Sequence, residues 1–127
     1  MLDGYPIYAV MAVSDLERAK RWYEEKLGLT PKEAMEGGAW YECNGGWFFL
    51  AVSSFAGTAQ NTVAGWTVKE IEKVMEELRG RGVEFEDYDM PGIKTENGLM
   101  ASGPFKAAWF KDPDGNTLEI SEVTQTS

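Results

Sequence analysis

The sequence predicts an α+β fold made of two βαβββ modules within one domain. An apolar strand motif occurs twice, 69 residues apart, as Ala39-Trp40-Tyr41 and as Ala108-Trp109-Phe110, and each copy runs into a turn and another apolar segment. A helix-opening pattern also occurs twice, 55 residues apart, starting at Val13 and at Val68. Self-similarity of this kind indicates one supersecondary unit used twice. The length of 127 residues is typical of a single domain, to which we assign residues 1–127.

The first module, over about residues 5–53, opens with a strand and a helix. Ser14 followed by Glu17 three residues later is a capping box, which predicts a helix start. Gly28 is suited to end this helix in a left-handed conformation, and apolar residues recur between them at helical spacing. The predicted elements are a strand at 5–13, a helix at 14–27 and strands near 30–35, 39–43 and 47–53.

The second module, over about residues 62–122, repeats this order after a linker of small residues at 53–61. Its predicted elements are a strand at 62–68, a helix at 69–80 and strands near 83–88, 104–111 and 116–121. Residues 89–103 form an insertion that the first module lacks. A loop of this length is often a lid or a binding loop, and a passive hairpin extension is the alternative. As a lid it would place four apolar side chains over a ligand: Met90, Ile93, Met100 and Phe105.

Composition excludes several classes of function. The chain has 12 basic and 21 acidic residues and a formal charge of -9, which argues against nucleic acid or an anionic membrane as a partner. No apolar run reaches the length of a membrane span and no signal-peptide pattern is visible, so we expect a cytoplasmic protein. The absence of histidine excludes His-dependent triads and metal sites with an imidazole ligand. Without a histidine to activate it, Cys43 is interpreted as an inert thiol.

Three strings in the chain resemble a known family. They are Val13-Ser14-Asp15-Leu16-Glu17, then Trp22-Tyr23 with Leu27-Gly28-Leu29, and finally Asp112-Pro113-Asp114-Gly115-Asn116-Thr117-Leu118-Glu119-Ile120. With the tandem βαβββ order they are similar to the vicinal-oxygen-chelate superfamily of glyoxalases, bleomycin resistance proteins and dioxygenases. The resemblance implies an incompletely closed, barrel-like mixed sheet around a cavity, with the helices outside. We interpret the acidic run that starts at Asp112 as a hairpin turn rather than a calcium site.

Metal-dependent members of that family place four ligands on the first and last strands of the two modules. Carried over by position, these ligands correspond to Tyr8, Leu50, Val63 and Glu119, of which Glu119 alone keeps the family's ligand chemistry. Leucine and valine cannot donate to a metal, and one carboxylate with a neutral phenol does not hold a divalent ion tightly. We therefore expect a member without a metal site and without a cofactor.

Strand alternation extends the expected cavity wall. The wall is expected to be mostly apolar with a few polar groups, as suits a small organic ligand. Trp40 and Trp109 are interpreted either as core or interface residues or as platforms for a planar ligand. Glu119 either moves a proton or pairs with a ligand amine, or it is held by neighbours such as Tyr8. The candidate ligand-binding residues are Tyr8, Val10, Phe48, Leu50, Val63, Thr67, Thr117, Glu119 and Ser121.

Two functional hypotheses follow. The first is a metal-independent protein that binds and sequesters a small, hydrophobic or aromatic, antibiotic-like molecule, as the resemblance to the bleomycin-resistance branch implies. A homodimer is expected both from that resemblance and because exposed sheet edges favour association. The alternative is a glyoxalase-type lyase or isomerase in which Glu119 is the general acid/base and Tyr8 a proton donor.

Overall fold

The computed structural model describes residues 1–124, which form two helices and ten strands after a short 3-10 turn at Leu2–Gly4. Module one contains β1 (Tyr8–Val13), α1 (Leu16–Leu27), β2 (Glu33–Met35), β3 (Gly38–Cys43) and β4 (Gly46–Val52). Module two contains β5 (Thr62–Thr67), α2 (Ile71–Gly80), β6 (Asp89–Met90), β7 (Ile93–Lys94), β8 (Met100–Ser102), β9 (Phe105–Lys111) and β10 (Thr117–Val123).

The strands form two four-stranded mixed sheets that do not close into a barrel. Their orders are β1-β4-β3-β2 and β5-β10-β9-β8, and in each sheet the first strand of the module pairs in parallel with the last. The short β6–β7 hairpin stands apart from both sheets. The α+β architecture expected from the repeats is therefore confirmed, since each half is a βαβββ unit with α1 packed on β4 and α2 packed on β9 and β10.

One hydrophobic core continues beneath the two helices through both modules. The ring of Tyr23 on α1 packs at a tilt against those of Tyr41 and Phe48 in the first sheet, with centroids 6.0 Å and 5.9 Å away. The largest side chains of this core have less than 2% of their surface exposed: Tyr23, Tyr41, Phe110, Met11, Leu50, Ile71, Leu118 and Val13.

The start of α1 differs from the expected capping box. The N-cap is Asp15, whose carboxylate accepts a 3.1 Å hydrogen bond from the backbone N–H of Arg18. Ser14 is not the cap because its backbone N–H and its hydroxyl both donate to the carboxylate of Asp114 in the other module. The expected end of the helix is confirmed, since Gly28 has φ 70° in the left-handed region.

The strand expected near 83–88 is wrong, because that segment forms only an isolated bridge between Phe85 and Phe110. Hydrogen bonds hold this segment against the insertion: Oδ1 of Asp87 accepts one from the Thr95 hydroxyl at 2.7 Å and one from the Gly98 backbone N–H at 2.8 Å. The 89–103 insertion consequently folds into the β6–β7 hairpin and ends in β8, which takes the sheet position that β2 has in module one.

The hairpin turns of the two modules differ in length by one residue. The corresponding pairs Glu42–Trp47 and Lys111–Thr117 enclose four and five residues. Residues of β4 therefore correspond to β10 residues 70 positions later, whereas β3 and β9 stay 69 positions apart. Phe49, rather than Leu50, is the counterpart of Glu119.

The longer turn, between β9 and β10, is the hairpin turn predicted from the acidic run that starts at Asp112. The Asp112 carboxylate accepts hydrogen bonds from the backbone N–H groups of Asp114 and Asn116, at 3.0 Å and 2.9 Å. Asp112 is 5% exposed, and its oxygens are thus occupied by the protein's own donors. In residues 1–124, neither helix is both long and apolar enough to cross a lipid bilayer.

Candidate ligand-binding site on the open face

Each sheet has one face covered by a helix and one face without a helix, which we call the open face. Residues opposite one another on neighbouring strands point to the same face. In the first sheet Tyr8 pairs with Trp47 and Val10 with Phe49. In the second sheet Gly65 pairs with Glu119 and Thr67 with Ser121. The buried partners of the intervening positions, such as Met11 and Leu50, face the core.

Four aromatic rings form a cluster on the open face of the first sheet. The ring centroid of Trp40 lies 4.8 Å from that of Tyr8, 4.7 Å from that of Phe49 and 6.3 Å from that of Trp47. Tyr8 is 53% exposed and Trp47 40% exposed, so solvent reaches both sides of the cluster. Exposed, edge-packed rings of this kind offer stacking surfaces to a planar ligand.

The Phe49 ring has its place because residue 38 has no side chain. A Cβ atom built on Gly38 would lie 2.0 Å from Cζ of Phe49 and 2.6 Å and 2.8 Å from its two Cε atoms. Gly38 is buried beneath the ring, and its strand position sets the ring against Trp40. The aromatic cluster therefore depends on a glycine in the neighbouring strand.

Glu119 lies half-buried on the open face of the second sheet, among small residues and one tryptophan. It faces Trp109 across the β9–β10 pair and Gly65 across the β5–β10 pair. A Cβ at position 65 would come within 3.5 Å of the Glu119 Cβ, so the glycine leaves room beside the carboxylate. Within residues 1–124 the carboxylate has no hydrogen bond or ion pair to another group, Tyr8 included. The free oxygens are thus available to a ligand.

Beside Glu119 the second sheet borders a cavity of about 220 Å³. Thr117 is 4% exposed at its base, where its Oγ1 accepts a 2.9 Å hydrogen bond from Nζ of Lys111. Two residues of the 89–103 insertion, Met90 and Ile93, line it as a lid would, whereas Met100 and Phe105 lie on β8 and β9 outside it. The full lining is Gln60, Asn61, Thr62, Tyr88, Met90, Ile93, Trp109 and Thr117.

The expected cavity wall was wrong at two positions of β4. Phe48 and Leu50 were expected to line the open-face cavity, but they are 6% and 0% exposed and lie on the core face, where Phe48 borders a different cavity. The error comes from the one-residue difference between the two turns, because a shift of one residue reverses every side chain of a strand. Val63 also departs from the expectation: it lies at a β-bulge next to Thr62 and packs against the core.

The other candidate residues lie where alternation placed them. Tyr8 and Val10 are on the open face of β1, Thr67 on that of β5, and Thr117, Glu119 and Ser121 on that of β10. Sequence reasoning missed Trp47, Phe49 and Tyr88. Trp47 and Phe49 were missed because the turn length was unknown, and Tyr88 because its Trp109 contact, 5.6 Å between centroids, depends on the path of the insertion.

The chain belongs to the Glyoxalase/Bleomycin resistance protein/Dioxygenase superfamily, whose family model matches residues 7–120. This confirms the resemblance read from the sequence motifs. A search of curated proteins finds no match.

Solved structures share the fold at low sequence identity. A glyoxalase/bleomycin resistance protein from Catenulispora acidiphila is 22% identical with a TM-score of 0.70, covering 93% of this chain and 97% of its own. A glyoxalase family protein from Bacillus anthracis is 21% identical with a TM-score of 0.69, covering 94% and 95%. The fosfomycin resistance protein from Listeria monocytogenes, solved with Mn(II) and sulfate, is 15% identical with a TM-score of 0.67, covering 96% and 90%.

The residues at the family's ligand positions do not fit a divalent metal ion. With the corrected register these positions hold Tyr8, Phe49, Val63 and Glu119, which together offer one carboxylate and one phenol. Among the described residues no three His, Cys, Asp or Glu side chains come together as a metal-binding group. Stable sites for such ions use three or more donors, and these four positions therefore do not form one.

Proposed function

We propose that the protein is a metal-independent binding protein that sequesters a small planar aromatic, antibiotic-like molecule on its open face. The observation that carries the proposal is the replacement of metal-ligand chemistry by rings: Tyr8 and Phe49 stand at two of the four ligand positions and belong to one aromatic cluster with Trp40. Aromatic side chains that stack on a planar ligand can hold that ligand without a metal ion.

The charge of the protein favours a cationic ligand. The formal charge is -9, and Glu119, which has no polar partner among residues 1–124, supplies a carboxylate next to Trp109 on the open face. A cation over an aromatic ring gains further stabilisation from the ring's negative face. We therefore propose a planar cation whose ring stacks on the aromatic cluster, with Glu119 as its counter-charge.

Titration with proflavine, a planar aromatic cation, tests this proposal by quenching of the dye's fluorescence. Tyr8→Ala should weaken binding by about tenfold, because it removes a 53%-exposed ring from the cluster. Tyr5→Ala is the matched control, since Tyr5 is 68% exposed and makes no ring contact in the cluster. Equal affinity of the two variants, or no binding by the unmodified protein, would contradict the proposal.

A homodimer is part of the proposal. Several large apolar side chains of the first sheet are exposed, among them Val10 at 57%, Val52 at 49% and Met35 at 45%. Apolar area of this kind, next to an unpaired sheet edge at β2, is more stable when a second copy covers it. Sedimentation equilibrium of the purified protein should give the mass of a dimer. We also propose that the protein is located in the cytoplasm.

The alternative function is a lyase or isomerase of the glyoxalase type. It is favoured by one observation, the unpartnered carboxylate of Glu119, because a general base needs free oxygens. Glu119→Gln separates the two functions. An enzyme that uses this carboxylate would lose turnover of a 2-oxoaldehyde–thiol adduct, whereas a binding protein shows no turnover and loses affinity only for charged ligands.

A further inference from the structure

Each helix lies next to the β-hairpin turn of the other module, and side chains fill the space between helix and turn in only one of the two cases. Tyr23 of α1 reaches the β9–β10 turn of module two and donates a 2.9 Å hydrogen bond to Asp112 there. The Asn116 side chain reinforces this contact, donating to Asp112 Oδ2 at 2.9 Å and to the backbone oxygen of Ala12 at 2.8 Å. All three side chains are buried, so the space between α1 and this turn is closed.

The corresponding place in the other half is a cavity. Leu78 lies 55 positions after Tyr23, and Cys43 lies 69 positions before Asp112, so these two residues occupy the same places in the repeat. Both line a cavity of about 250 Å³ between α2 and the end of β3. The shorter Asn44-Gly45 turn supplies no counterpart of Asn116 there. A leucine and a thiol thus stand where the other half has a phenol and a carboxylate.

The chemistry of this cavity is apolar. Among residues 1–124 its wall carries no charged side chain, and its polar side-chain groups are the Thr67 hydroxyl, the Cys43 thiol and the Trp66 indole N–H. The remaining lining is Leu27, Leu29, Trp66, Val68, Val74, Leu78, Phe110 and Ile120. Apolar cavities of roughly 150 Å³ in proteins hold molecules of the size of benzene, so this volume admits a somewhat longer hydrocarbon.

A second, more polar cavity adjoins the first. It has a volume of about 440 Å³ and shares Cys43, Trp66 and Thr67 with the apolar one. Its other walls include Asn44, an exposed turn residue whose side-chain amide makes no hydrogen bond within the described part of the chain. The two cavities together provide an apolar end and a polar, uncharged end.

We propose that this pair of cavities, at the junction of the modules, is a second binding site for a neutral amphiphile with a short hydrocarbon chain. The chain occupies the space between Leu78 and Cys43, and its hydroxyl or other uncharged polar end meets Thr67 and Asn44. A carboxylate end is disfavoured because no cation within the described residues 1–124 lines either cavity and the protein carries a formal charge of -9. The polar cavity borders the open-face site of the proposed function, since Trp47, Gly65 and Thr67 line it, whereas Tyr8 and Glu119 line neither cavity.

Titration with 1-octanol, followed by methyl NMR, tests the proposal. The methyl signals of Leu78 and Val74 should shift with saturation while those of Val10 on the open face stay constant, and alkylation of Cys43 by iodoacetamide should slow. Leu78→Tyr places at this position the side-chain type found at Tyr23 and fills the space, so it should weaken octanol binding at least about tenfold. Val74→Phe fills the same space from another turn of α2 and replaces Leu78→Tyr if that variant does not fold.

The controls separate the two sites. Tyr8→Ala should keep octanol binding and lose proflavine binding, whereas Leu78→Tyr should keep proflavine binding and lose octanol binding. Failure of proflavine to bind would leave the octanol result intact, because the two probes report on different residues. The second site is overturned if octanol leaves the Leu78 and Val74 methyl signals unchanged, or if a folded cavity-filling variant binds octanol as well as the unmodified protein.

Discussion

The hydroxyl of Tyr23 donates a 2.9 Å hydrogen bond to Oδ2 of Asp112, joining the helix of one module to the turn of the other. Tyr23 is 0% exposed and Asp112 5% exposed, so water does not replace the bond when it is broken. A buried carboxylate that loses a donor pays the cost of desolvation without compensation. This bond is therefore expected to be one of the main links between the modules.

Tyr23→Phe should lower the free energy of unfolding by about 1–3 kcal/mol, because it leaves the buried Asp112 carboxylate short of one donor. Tyr41→Phe is the matched control in the same core. The Tyr41 hydroxyl is buried and has no hydrogen-bond partner within residues 1–124, so its removal should change stability little or raise it. Urea denaturation of both variants measures the difference, and a larger loss for Tyr41→Phe would contradict the assignment.

The same two tyrosines predict a loss of stability in alkali. Burial raises the pKa of Tyr41 to about 12, and burial with the adjacent Asp112 charge raises the pKa of Tyr23 well above its usual range. In the unfolded chain both have the ordinary value of 10.0. The stability that their neutral forms provide is fully present below pH 10 and declines as the pH rises through about 12. Urea denaturation at increasing alkaline pH should show this decline, and it should be shallower in Tyr41→Phe.

Glu122 should contribute to the loss of stability at acid pH. Its carboxylate accepts hydrogen bonds from the backbone N–H groups of Glu70 at 3.0 Å and Ile71 at 3.1 Å, at the start of α2. The bonds to Ile71 and Glu70 lower the pKa of Glu122 below its ordinary 4.5. The stability gained is therefore present above pH 4.5 and is lost as the pH falls through the lower value of the folded state.

Glu122→Gln should lower stability at neutral pH and reduce its dependence on pH below this range. Glu76→Gln removes the same charge from an exposed position of α2 and should leave the acid profile unchanged. Thermal melts across the acid range measure both variants. A Glu122→Gln profile that runs parallel to that of the unmodified protein would rule out this role.

Gly38→Ala should disturb the aromatic cluster. Its Cβ would stand 2.0 Å from the Phe49 ring, which must move away from Trp40, so we expect a destabilisation of about 1–3 kcal/mol and a shifted tryptophan emission. Gly80→Ala at the end of α2 meets no atom within 4 Å and should be neutral or stabilising by up to about 1 kcal/mol. Equal effects of the two substitutions would show that Phe49 does not depend on Gly38.

Much of the fold was predictable because its signals are local. Helical spacing and the left-handed Gly28 located α1, and the repeated Ala-Trp motif located β3 and β9. The strand near 83–88 was not predictable, because Asp87 binds Thr95 and Gly98, eight and eleven residues later, and strand periodicity does not reveal the path of that insertion. The predicted cap of α1 was also wrong, because Ser14 binds Asp114 of the other module instead.

By itself the sequence determined the family, the two βαβββ modules and the place of Glu119 on the last strand, because these depend on motifs and on side-chain periodicity within one element. The tertiary structure decided which face of β4 meets the ligand side. A single extra residue in the β9–β10 turn makes Phe49, rather than Leu50, the counterpart of Glu119, and a strand reverses all its side chains with a shift of one residue. It also decided that Tyr23 and Asp112 close one junction while Leu78 and Cys43 leave the other open, because packing between modules depends on volumes that meet only in three dimensions.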